Sequence, residues 1–307
     1  MKVTNALLVA AALALVFGCA QDEPADVTLW YVYRGPMVGG VNLYGVDGVD
    51  RDDLWAVGGG GKLLRYDGVH WRFYQFTVTD LDLYDVAMVS GNSGWAVGAD
   101  GLVLRYRQGR WSEETYLSGY DLYGLAFDTS NRGFAVGDNG LVFRFDGERW
   151  TDVSVEGVTA DLRDVALAPE GKAWAVGDAG TILHYDGGAW SLVAGVPTTE
   201  RLNDLAVNGS GVYAAGDNGV ILHNPGGGWY RMPTPTARAL LAVAAAEKRA
   251  FAGGVSGVLL GTKDGAWGPV KLDPGAANLN DIILCNSDGG WAVGDQGVIL
   301  EYRRAWQ

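Results

Sequence analysis

The sequence predicts an all-β protein: a seven-bladed β-propeller with four antiparallel strands in each blade. Three landmarks recur seven times along the 307 residues: a leucine, then an aromatic residue followed by alanine, then a tryptophan. The aromatic landmarks are 38–40 residues apart, and the tryptophan follows each by 16 residues, or by 15 in the last repeat. A repeat of about 40 residues that holds four short strands is the sequence pattern of a propeller blade.

The landmarks keep their order in every repeat. The leucines are Leu43, Leu83, Leu122, Leu162, Leu202, Leu240 and Leu279. The aromatic residues are Trp55, Trp95, Phe134, Trp174, Tyr213, Phe251 and Trp291. The tryptophans that follow are Trp71, Trp111, Trp150, Trp190, Trp229, Trp267 and Trp306.

The fourth repeat shows the predicted strands most clearly. Its first three strands cover residues 162–167, 173–176 and 181–185. Gly177 begins the turn between the second and third strands, and a second glycine follows three residues later, as in every repeat. We expect this turn to need backbone angles that a Cβ resists, so that Gly177→Val would cost several kcal/mol through φ strain.

One segment has the composition of a helix. Residues 237–248 are rich in Ala, Leu, Glu and Lys, which alone favours helical structure. Leu240 and Phe251 nevertheless keep the register of the repeats, and tertiary context overrides local propensity. We therefore predict that this segment forms part of a blade.

The ends of the chain predict how the ring closes. The last repeat stops one residue after Trp306 and lacks a fourth strand. Residues 27–34 have strand composition, and Trp30 precedes Leu43 by 13 residues, where the repeats have a gap of 11 or 12. We predict that residues 27–34 supply the fourth strand of the seventh blade, which removes an open sheet edge.

The first residues predict an exported lipoprotein. Lys2 precedes an apolar run at residues 6–17, which is too short to span a bilayer and fits a secretory signal. The run ends in Leu-Val-Phe-Gly before Cys19, which resembles a bacterial lipobox whose cysteine is acylated; an ordinary signal peptide that contains a cysteine is the alternative. The predicted parts are a lipoprotein signal peptide at 1–18, an acidic tether at 19–26 and the propeller at 27–307.

Charge and cysteine content limit the partners. The net charge is −13 and the pI is about 4.6. An acidic surface argues against nucleic acid, because phosphate contacts need Lys and Arg. It suits a cationic partner or a divalent cation such as calcium, while solubility alone also explains it. With Cys19 acylated, Cys285 has no disulfide partner, and we expect it to be a buried small hydrophobic residue.

Acidic residues mark a candidate binding face. Turns between second and third strands should emerge on the same face as the connections between blades, around the mouth of the central channel. The turn residues are Asp138, Asp178, Asp217 and Asp295, with Asp100 one position along. The connection residues are Asp80, Asp82, Asp121, Glu156, Asp161, Glu200 and Asp273. This ring would suit a basic segment or a divalent cation; the alternative is that each turn aspartate bonds its own backbone.

The positions after the landmark leucine also carry a pattern. Tyr44, Tyr84 and Tyr123 follow the leucine in three neighbouring repeats and form a candidate aromatic patch, with packing between blades as the alternative. One position further on, four repeats have an aspartate, which we expect to cap backbone groups near the channel. These residues are Asp85, Asp164, Asp204 and Asp281.

We expect no catalytic residues, no metal site and no cofactor. His184 and His223 occupy a third-strand position that holds Arg65, Arg105, Arg144 or Glu301 in other repeats. A position that accepts His, Arg or Glu suggests a solvated blade face rather than a metal site. No cysteine cluster and no Ser-His-Asp spacing is present.

The sequence Gly-Trp-Ala-Val-Gly-Asp-Gln-Gly at residues 290–297 resembles the repeats of the photosystem II assembly and stability factor family, which grade into the BNR or Asp-box propellers. The resemblance covers all seven repeats. It departs at the hairpin of residues 185–190, which is shorter than the Asp-box turn of those families. The resemblance implies a seven-bladed fold and roles in assembly or binding.

Together these features predict a non-enzymatic scaffold of the bacterial cell envelope that binds another envelope protein through a propeller face. We expect it to be monomeric, exported and attached by its N-terminal lipid to the cell membrane or the outer membrane. The alternative is a glycan-binding propeller or a sialidase-like glycoside hydrolase. A hydrolase would need arginine, tyrosine and carboxylate groups that converge in one pocket.

Overall fold

The computed structural model describes residues 28–33, 40–129, 132–247, 249–272, 277–286 and 289–304. Within these residues, 28 strands form seven four-stranded antiparallel sheets, each of them one blade. The predicted signal peptide and tether, with Cys19, lie outside the described residues, as do Asp273 and Trp306. The all-β fold, the seven blades and the four antiparallel strands per blade are confirmed.

The strands follow one another outwards in each blade, from the channel to the rim. Blade 1 contains β2 (Leu43–Asp50), β3 (Asp53–Gly58), β4 (Lys62–Tyr66) and β5 (Trp71–Phe73). Blade 2 contains β6 (Leu83–Ser90), β7 (Ser93–Gly98), β8 (Leu102–Arg107) and β9 (Arg110–Tyr116). Blade 3 contains β10 (Leu122–Thr129), β11 (Arg132–Gly137), β12 (Val142–Phe145) and β13 (Trp150–Asp152). Blade 4 contains β14 (Leu162–Ala168), β15 (Lys172–Gly177), β16 (Ile182–Tyr185) and β17 (Trp190–Leu192).

The remaining blades repeat this order. Blade 5 contains β18 (Leu202–Asn208), β19 (Gly211–Gly216), β20 (Ile221–Asn224) and β21 (Tyr230–Arg231). Blade 6 contains β22 (Leu240–Ala246), β23 (Arg249–Gly254), β24 (Leu259–Lys263) and β25 (Ala266–Pro269). Blade 7 contains β26 (Leu279–Asn286), β27 (Gly289–Gly294), β28 (Ile299–Arg304) and β1 (Thr28–Val32).

Short 3-10 turns join the second and third strands of every blade. They are Gly59–Gly61, Ala99–Gly101, Asp138–Gly140, Asp178–Gly180, Asp217–Gly219, Val255–Gly257 and Asp295–Gly297, and one further 3-10 turn lies at Pro169–Gly171. The described turns between second and third strands emerge on the same face of the disc as the connections between blades. We call this face the turn face.

Aromatic side chains fill the seams between blades. The aromatic landmark of one blade packs edge-on against the tryptophan of the next, with ring centroids 5.1–6.2 Å apart. The pairs are Trp55–Trp111, Trp95–Trp150, Phe134–Trp190, Trp174–Trp229, Tyr213–Trp267, Phe251–Trp30 and Trp291–Trp71. Such pairs each contribute about 0.5–1.5 kcal/mol beyond burial, which explains why the repeat keeps both landmarks.

The N-terminal strand closes the ring as predicted. β1 pairs antiparallel with β28, in register from Thr28 opposite Arg304 to Val32 opposite Leu300. Trp30, which is 6% exposed, occupies the seam position that a landmark tryptophan holds in the other blades. The strand covers Thr28–Val32, and residues 27 and 34 of the predicted range lie outside the described residues.

The segment with helical composition forms β22, and the prediction from register is confirmed. Leu240 is fully buried, and Val243 is nearly so. Burial of these side chains in the seam with blade 5 outweighs the small helical preference of the alanines.

The first glycine of the pair has a different cause from the one predicted, whereas the second has the predicted positive φ. Gly177 has a φ of −171°, which is ordinary extended backbone. The φ strain predicted from the sequence therefore does not explain why a glycine recurs here in every repeat. A Cβ on Gly177 would lie 2.0 Å from the carbonyl oxygen of Asp161, and one on Gly180 would lie 2.3 Å from that of Thr198. Both glycines therefore permit close backbone contact, and the second also adopts a positive φ of 69°.

The described part of the chain has no helix with the length and hydropathy needed to cross a bilayer. Cys285 is a free, partly buried thiol that packs against the core between blades 1 and 7. Burial raises the pKa of Cys285 to about 11, so the thiol is uncharged at neutral pH.

Candidate functional site

A β-bulge occurs at the same place in the innermost strand of all seven blades. The register shifts between the landmark leucine and the residue two positions later, so that the residue between them is left out of the ladder. A bulge re-aims the side chain of the unpaired residue. The seven bulged residues, which we call the bulge ring, are Tyr44, Tyr84, Tyr123, Arg163, Asn203, Leu241 and Asn280.

The predicted aromatic patch is a continuous row on this ring. The rings of Tyr44 and Tyr84 lie 5.8 Å apart, and those of Tyr84 and Tyr123 lie 5.3 Å apart. Arg163 extends the row to a fourth blade, because its guanidinium carbon lies 4.5 Å from the centre of the Tyr123 ring. We call these four residues the tyrosine row.

The turn aspartates bond to the bulge ring of their own blade. Asp138 accepts a hydrogen bond from the Tyr123 hydroxyl at 2.8 Å, and Asp217 accepts one from the Asn203 amide at 3.1 Å. Asp295 accepts hydrogen bonds from Asn280 and Asn278. The alternative raised from the sequence, a bond from each turn aspartate to its own backbone, is therefore wrong for these turns. They instead connect the turn to the innermost strand.

Asp178 has the strongest electrostatic partners of this group. It accepts two hydrogen bonds of 3.0 Å from Arg163, and Arg201 lies 2.9 Å from the same carboxylate. The hydrogen bonds from Arg163 lower the pKa of Asp178 below its ordinary value. This charge is internally neutralised and leaves little for a ligand.

Three connection aspartates tie neighbouring blades together. The middle residue of a turn donates its backbone N–H to the carboxylate that precedes the landmark leucine of the next blade. The pairs are Gly60 to Asp82 at 2.7 Å, Asp100 to Asp121 at 3.0 Å and Asn139 to Asp161 at 2.9 Å. Asp121 also accepts a hydrogen bond from the Tyr84 hydroxyl at 3.1 Å. These carboxylates therefore have structural partners as well as exposed surface.

Asp100 differs from the other four predicted turn residues. It occupies the middle of its turn with a φ of 57° and is exposed. Its carboxylate accepts no hydrogen bond and forms no ion pair with any described residue. Among the five candidate aspartates, Asp100 therefore has the carboxylate most accessible to a partner.

A second group of carboxylates lines the central channel. Asp85, Asp164, Asp204 and Asp281 each accept a hydrogen bond of 2.5–2.8 Å from a backbone N–H of the next blade. The residues that donate these hydrogen bonds are, in the same order, Leu125, Leu205, Val243 and Val46. Asp47 does the same to Met88. These contacts agree with the predicted capping of backbone groups near the channel.

The channel carboxylates line an open cavity of about 290 Å³ whose other walls are mainly aliphatic. Burial raises the pKa of Asp47 to about 6 and that of Asp164 to about 7. Burial also raises the pKa of Asp85, Asp204 and Asp281 well above the ordinary value. Within the described ranges, no three His, Cys, Asp or Glu side chains are arranged to hold a metal ion.

Two of the third-strand Arg and His residues pack on aromatic rings and are buried, whereas Arg65 is exposed, as predicted for a solvated face. The guanidinium carbon of Arg105 lies 3.8 Å from the centre of the Trp95 ring, and the His223 ring stacks on Tyr213 at 4.2 Å. Both residues are buried. Each side chain contacts the second strand of its own blade, so these residues do not converge in one pocket.

Sequence reasoning missed Arg163, Asn203 and Asn280 as partners of the turn aspartates, and Asp47 in the channel. The three bulge-ring residues share the position after the landmark leucine with the predicted tyrosines. That equivalence was the available signal. Asp47 has no such signal, because the other repeats have Ala or Ile at its position.

No protein-family model and no curated protein matches the chain. Solved propellers match over nearly their whole length. The chain is similar to YCF48 bound to D1 peptide, with a TM-score of 0.74 and 21% identity, covering 90% of this chain and 97% of that one. It is similar to YCF48 from Cyanidioschyzon merolae, with a TM-score of 0.73 and 19% identity, covering 89% and 98%. It is also similar to virginiamycin B lyase from Staphylococcus aureus, with a TM-score of 0.75 and 14% identity, covering 91% and 99%. These likenesses show the fold.

Proposed function

We propose that this protein is a non-enzymatic binding protein of the bacterial cell envelope, anchored by a lipid on Cys19, that holds a protein partner on its turn face. The observation that carries the proposal is the tyrosine row, which crosses four neighbouring blades at the channel mouth. Tyrosine and arginine are the residues most enriched where proteins bind one another.

The tyrosine row is preorganised. The hydroxyl groups of Tyr84 and Tyr123 donate to Asp121 and Asp138, and Arg163 is held by Asp178. Side chains that are already fixed lose little entropy when a partner binds. A similar propeller has been solved with a peptide bound, which supports a peptide segment as the ligand class.

The export and anchoring part of the proposal rests on the sequence before the propeller. Residues 19–26 would join the lipid to β1, which lies at the rim of blade 7. A tether at the rim leaves the turn face available to a partner.

The test is affinity capture from the envelope fraction with the full-length lipidated protein. We expect a specific protein partner that is lost in a Tyr44→Ala, Tyr84→Ala variant and retained in Val69→Ser, which alters an exposed residue on the opposite face. The folded state of each variant is checked by thermal unfolding.

Three outcomes count against the proposal. Partner binding that survives the tyrosine changes would place the site elsewhere. Capture of a polysaccharide in place of a protein would favour the glycan-binding alternative, and release of sugar from it would favour a hydrolase. Absence of any specific partner from every preparation would contradict a scaffold role.

A further inference from the structure

The charged residues on the turn face differ between blades 1–3 and blades 4–6. On blades 4–6 it carries Arg163, Arg201, Arg238 and Lys271. Arg163 pairs with Asp161 and Asp178 at 2.9 and 3.0 Å, so cations and carboxylates neutralise one another there. On the described residues of blades 1–3, the turn face carries one cation, Lys62, at the start of a third strand.

Blades 1–3 also expose aromatic rings on the connections between blades. Phe76 lies on the connection from blade 1 to blade 2 and is 61% exposed. Tyr116 ends β9 and Tyr120 lies on the connection from blade 2 to blade 3, and they are 50% and 55% exposed. These exposed rings lie on the same face as the tyrosine row, and exposed aromatic groups of this kind mark sites of protein interaction.

The carboxylates beside these rings are open. Asp80 and Asp100 are exposed, and neither carboxylate forms a hydrogen bond or an ion pair with any described residue. Asp100 lies close enough to Tyr116 for its charge to raise the pKa of that phenol, after the contributions of burial and Glu113. Asp100 therefore lies near one exposed ring, and Asp80 lies on the same connection as Phe76.

We propose that this sector, formed by Tyr44, Tyr84, Tyr123, Phe76, Tyr116, Tyr120, Asp80 and Asp100, binds a basic peptide segment of the partner. We call it the aromatic-acidic sector. The inference rests on the proposed function and adds the chemistry of the ligand.

Charge complementarity selects this occupant. Arginine and lysine place their charged groups over aromatic faces and lay their aliphatic stems along apolar surface. Asp80 and Asp100 then supply the opposite charges. An acidic segment would meet these carboxylates and those of Asp82 and Asp121 without compensation. The blade 4–6 half of the same face offers less attraction, because Arg163 and Arg201 already pair with Asp178.

The experiment measures binding of a labelled peptide of alternating arginine and glycine to the full-length protein by fluorescence anisotropy. We expect saturable binding that weakens as salt is raised, and no binding of the matching glutamate and glycine peptide. Asp80→Asn with Asp100→Asn should weaken binding at least about tenfold. Tyr116→Ser with Tyr120→Ser should weaken it by a similar factor.

Glu156→Gln is the matched control, because Glu156 is an exposed acid on the next connection of the same face, outside the sector. We expect its affinity to equal that of the unaltered protein. Equal weakening in the Glu156 control would show that the peptide senses only net charge and would overturn the assignment. Equal binding of the acidic peptide, or binding unaffected by both sector variants, would overturn it as well.

The two proposals fail in distinguishable ways. If an envelope partner depends on Tyr44 and Tyr84 while the basic peptide does not bind, the scaffold role stands and the ligand chemistry is wrong. If the basic peptide binds in the sector and no envelope partner is captured, the sector is a cationic-peptide site and the scaffold role is wrong.

Discussion

Two sets of aspartates lie on either side of the bulge, and they behave in opposite ways. The turn aspartates accept hydrogen bonds from side chains of the bulge ring, including a guanidinium, and the pKa of Asp178 is lowered as a result. The channel aspartates accept hydrogen bonds from backbone N–H groups of the next blade, and burial raises their pKa values.

The difference follows from what each carboxylate can reach. A turn aspartate lies at the surface beside long side chains, so it can be paired with a cation or an amide. A channel aspartate lies among aliphatic walls and other carboxylates, where the charged form is disfavoured. Repetition of one residue type therefore does not define one electrostatic role.

The largest expected effect comes from a substitution that pushes the turn carrying Asp178 away from the innermost strand. Gly177→Ala would place a Cβ 2.0 Å from the carbonyl oxygen of Asp161, so the turn that carries Asp178 must shift away from the innermost strand. We expect the free energy of unfolding, measured by urea denaturation, to fall by about 3 kcal/mol.

Gly188→Ala is the control for this change. It lies in another turn of blade 4, and its Cβ would meet only the Asp186 side chain at 3.4 Å. We expect it to alter stability by less than about 0.5 kcal/mol. Equal stability of the two variants would show that the close contact at Gly177 is not needed.

The next effect is a dependence on pH that belongs to the channel alone. Because the pKa of Asp164 is raised to about 7 in the folded protein, folding favours its protonated form. Stability from this group is fully present below the ordinary carboxyl pKa and is lost as pH rises through about 7. Asparagine does not titrate, so Asp164→Asn removes this loss of stability at high pH. The free energy of unfolding of the variant relative to that of the unaltered protein should therefore increase by at least about 2 kcal/mol between about pH 5 and about pH 8.

The comparison with the unaltered protein separates the Asp164–Asp204 pair from the other titratable groups. The channel also contains Asp47, Asp85, Asp204 and Asp281, and burial lowers the pKa values of His184 and His223 on outer strands. All of these groups are present in both proteins, and their titrations largely cancel except that of Asp204. Asp164 contributes to the raised pKa of Asp204, so the lower pKa of Asp204 in the variant adds to the same gain. Asp186→Asn is the control, since backbone hydrogen bonds lower the pKa of exposed Asp186 and its change should not gain stability with rising pH. A flat difference for Asp164→Asn would contradict the raised pKa.

The fold could be predicted from the sequence because its signals are repeated seven times. One weak landmark carries little information, whereas seven copies in register outweighed even the helical composition before Phe251. Ring closure followed from the orphan Trp30. The steric role of Gly177 did not follow, because a carbonyl contact across two strands leaves no mark beyond the glycine itself.

The candidate site was less accessible to sequence reasoning. The tyrosine row was found because one residue type repeats at one position. Arg163 and Asn280 hold the equivalent position with different chemistry, so repetition alone did not reveal them. The asymmetry between blades 1–3 and blades 4–6 depends on which carboxylates are paired. Only the three-dimensional structure shows which pairs form.

The smallest effects should separate the turn aspartates from one another. Asp178 is held by two arginines, whereas Asp217 is held by the neutral amide of Asn203. Asp178→Asn should lower the free energy of unfolding by about 1 kcal/mol at low salt, and by less at high salt, since partly exposed ion pairs are screened. Asp217→Asn keeps an oxygen that can accept the same hydrogen bond, so its cost should be below about 0.5 kcal/mol and insensitive to salt.

Denaturation of both variants at two salt concentrations checks this order. A salt-dependent loss in Asp217→Asn would mean that its carboxylate acts through charge rather than geometry. A salt-independent loss in Asp178→Asn would mean that its arginine pairs act through geometry rather than charge. In the expected case, the lowered pKa of Asp178 makes its contribution disappear as pH falls, which is the opposite sign to that of Asp164 in the channel. Salt and pH dependence would then distinguish the turn aspartates from the channel aspartates within a single fold.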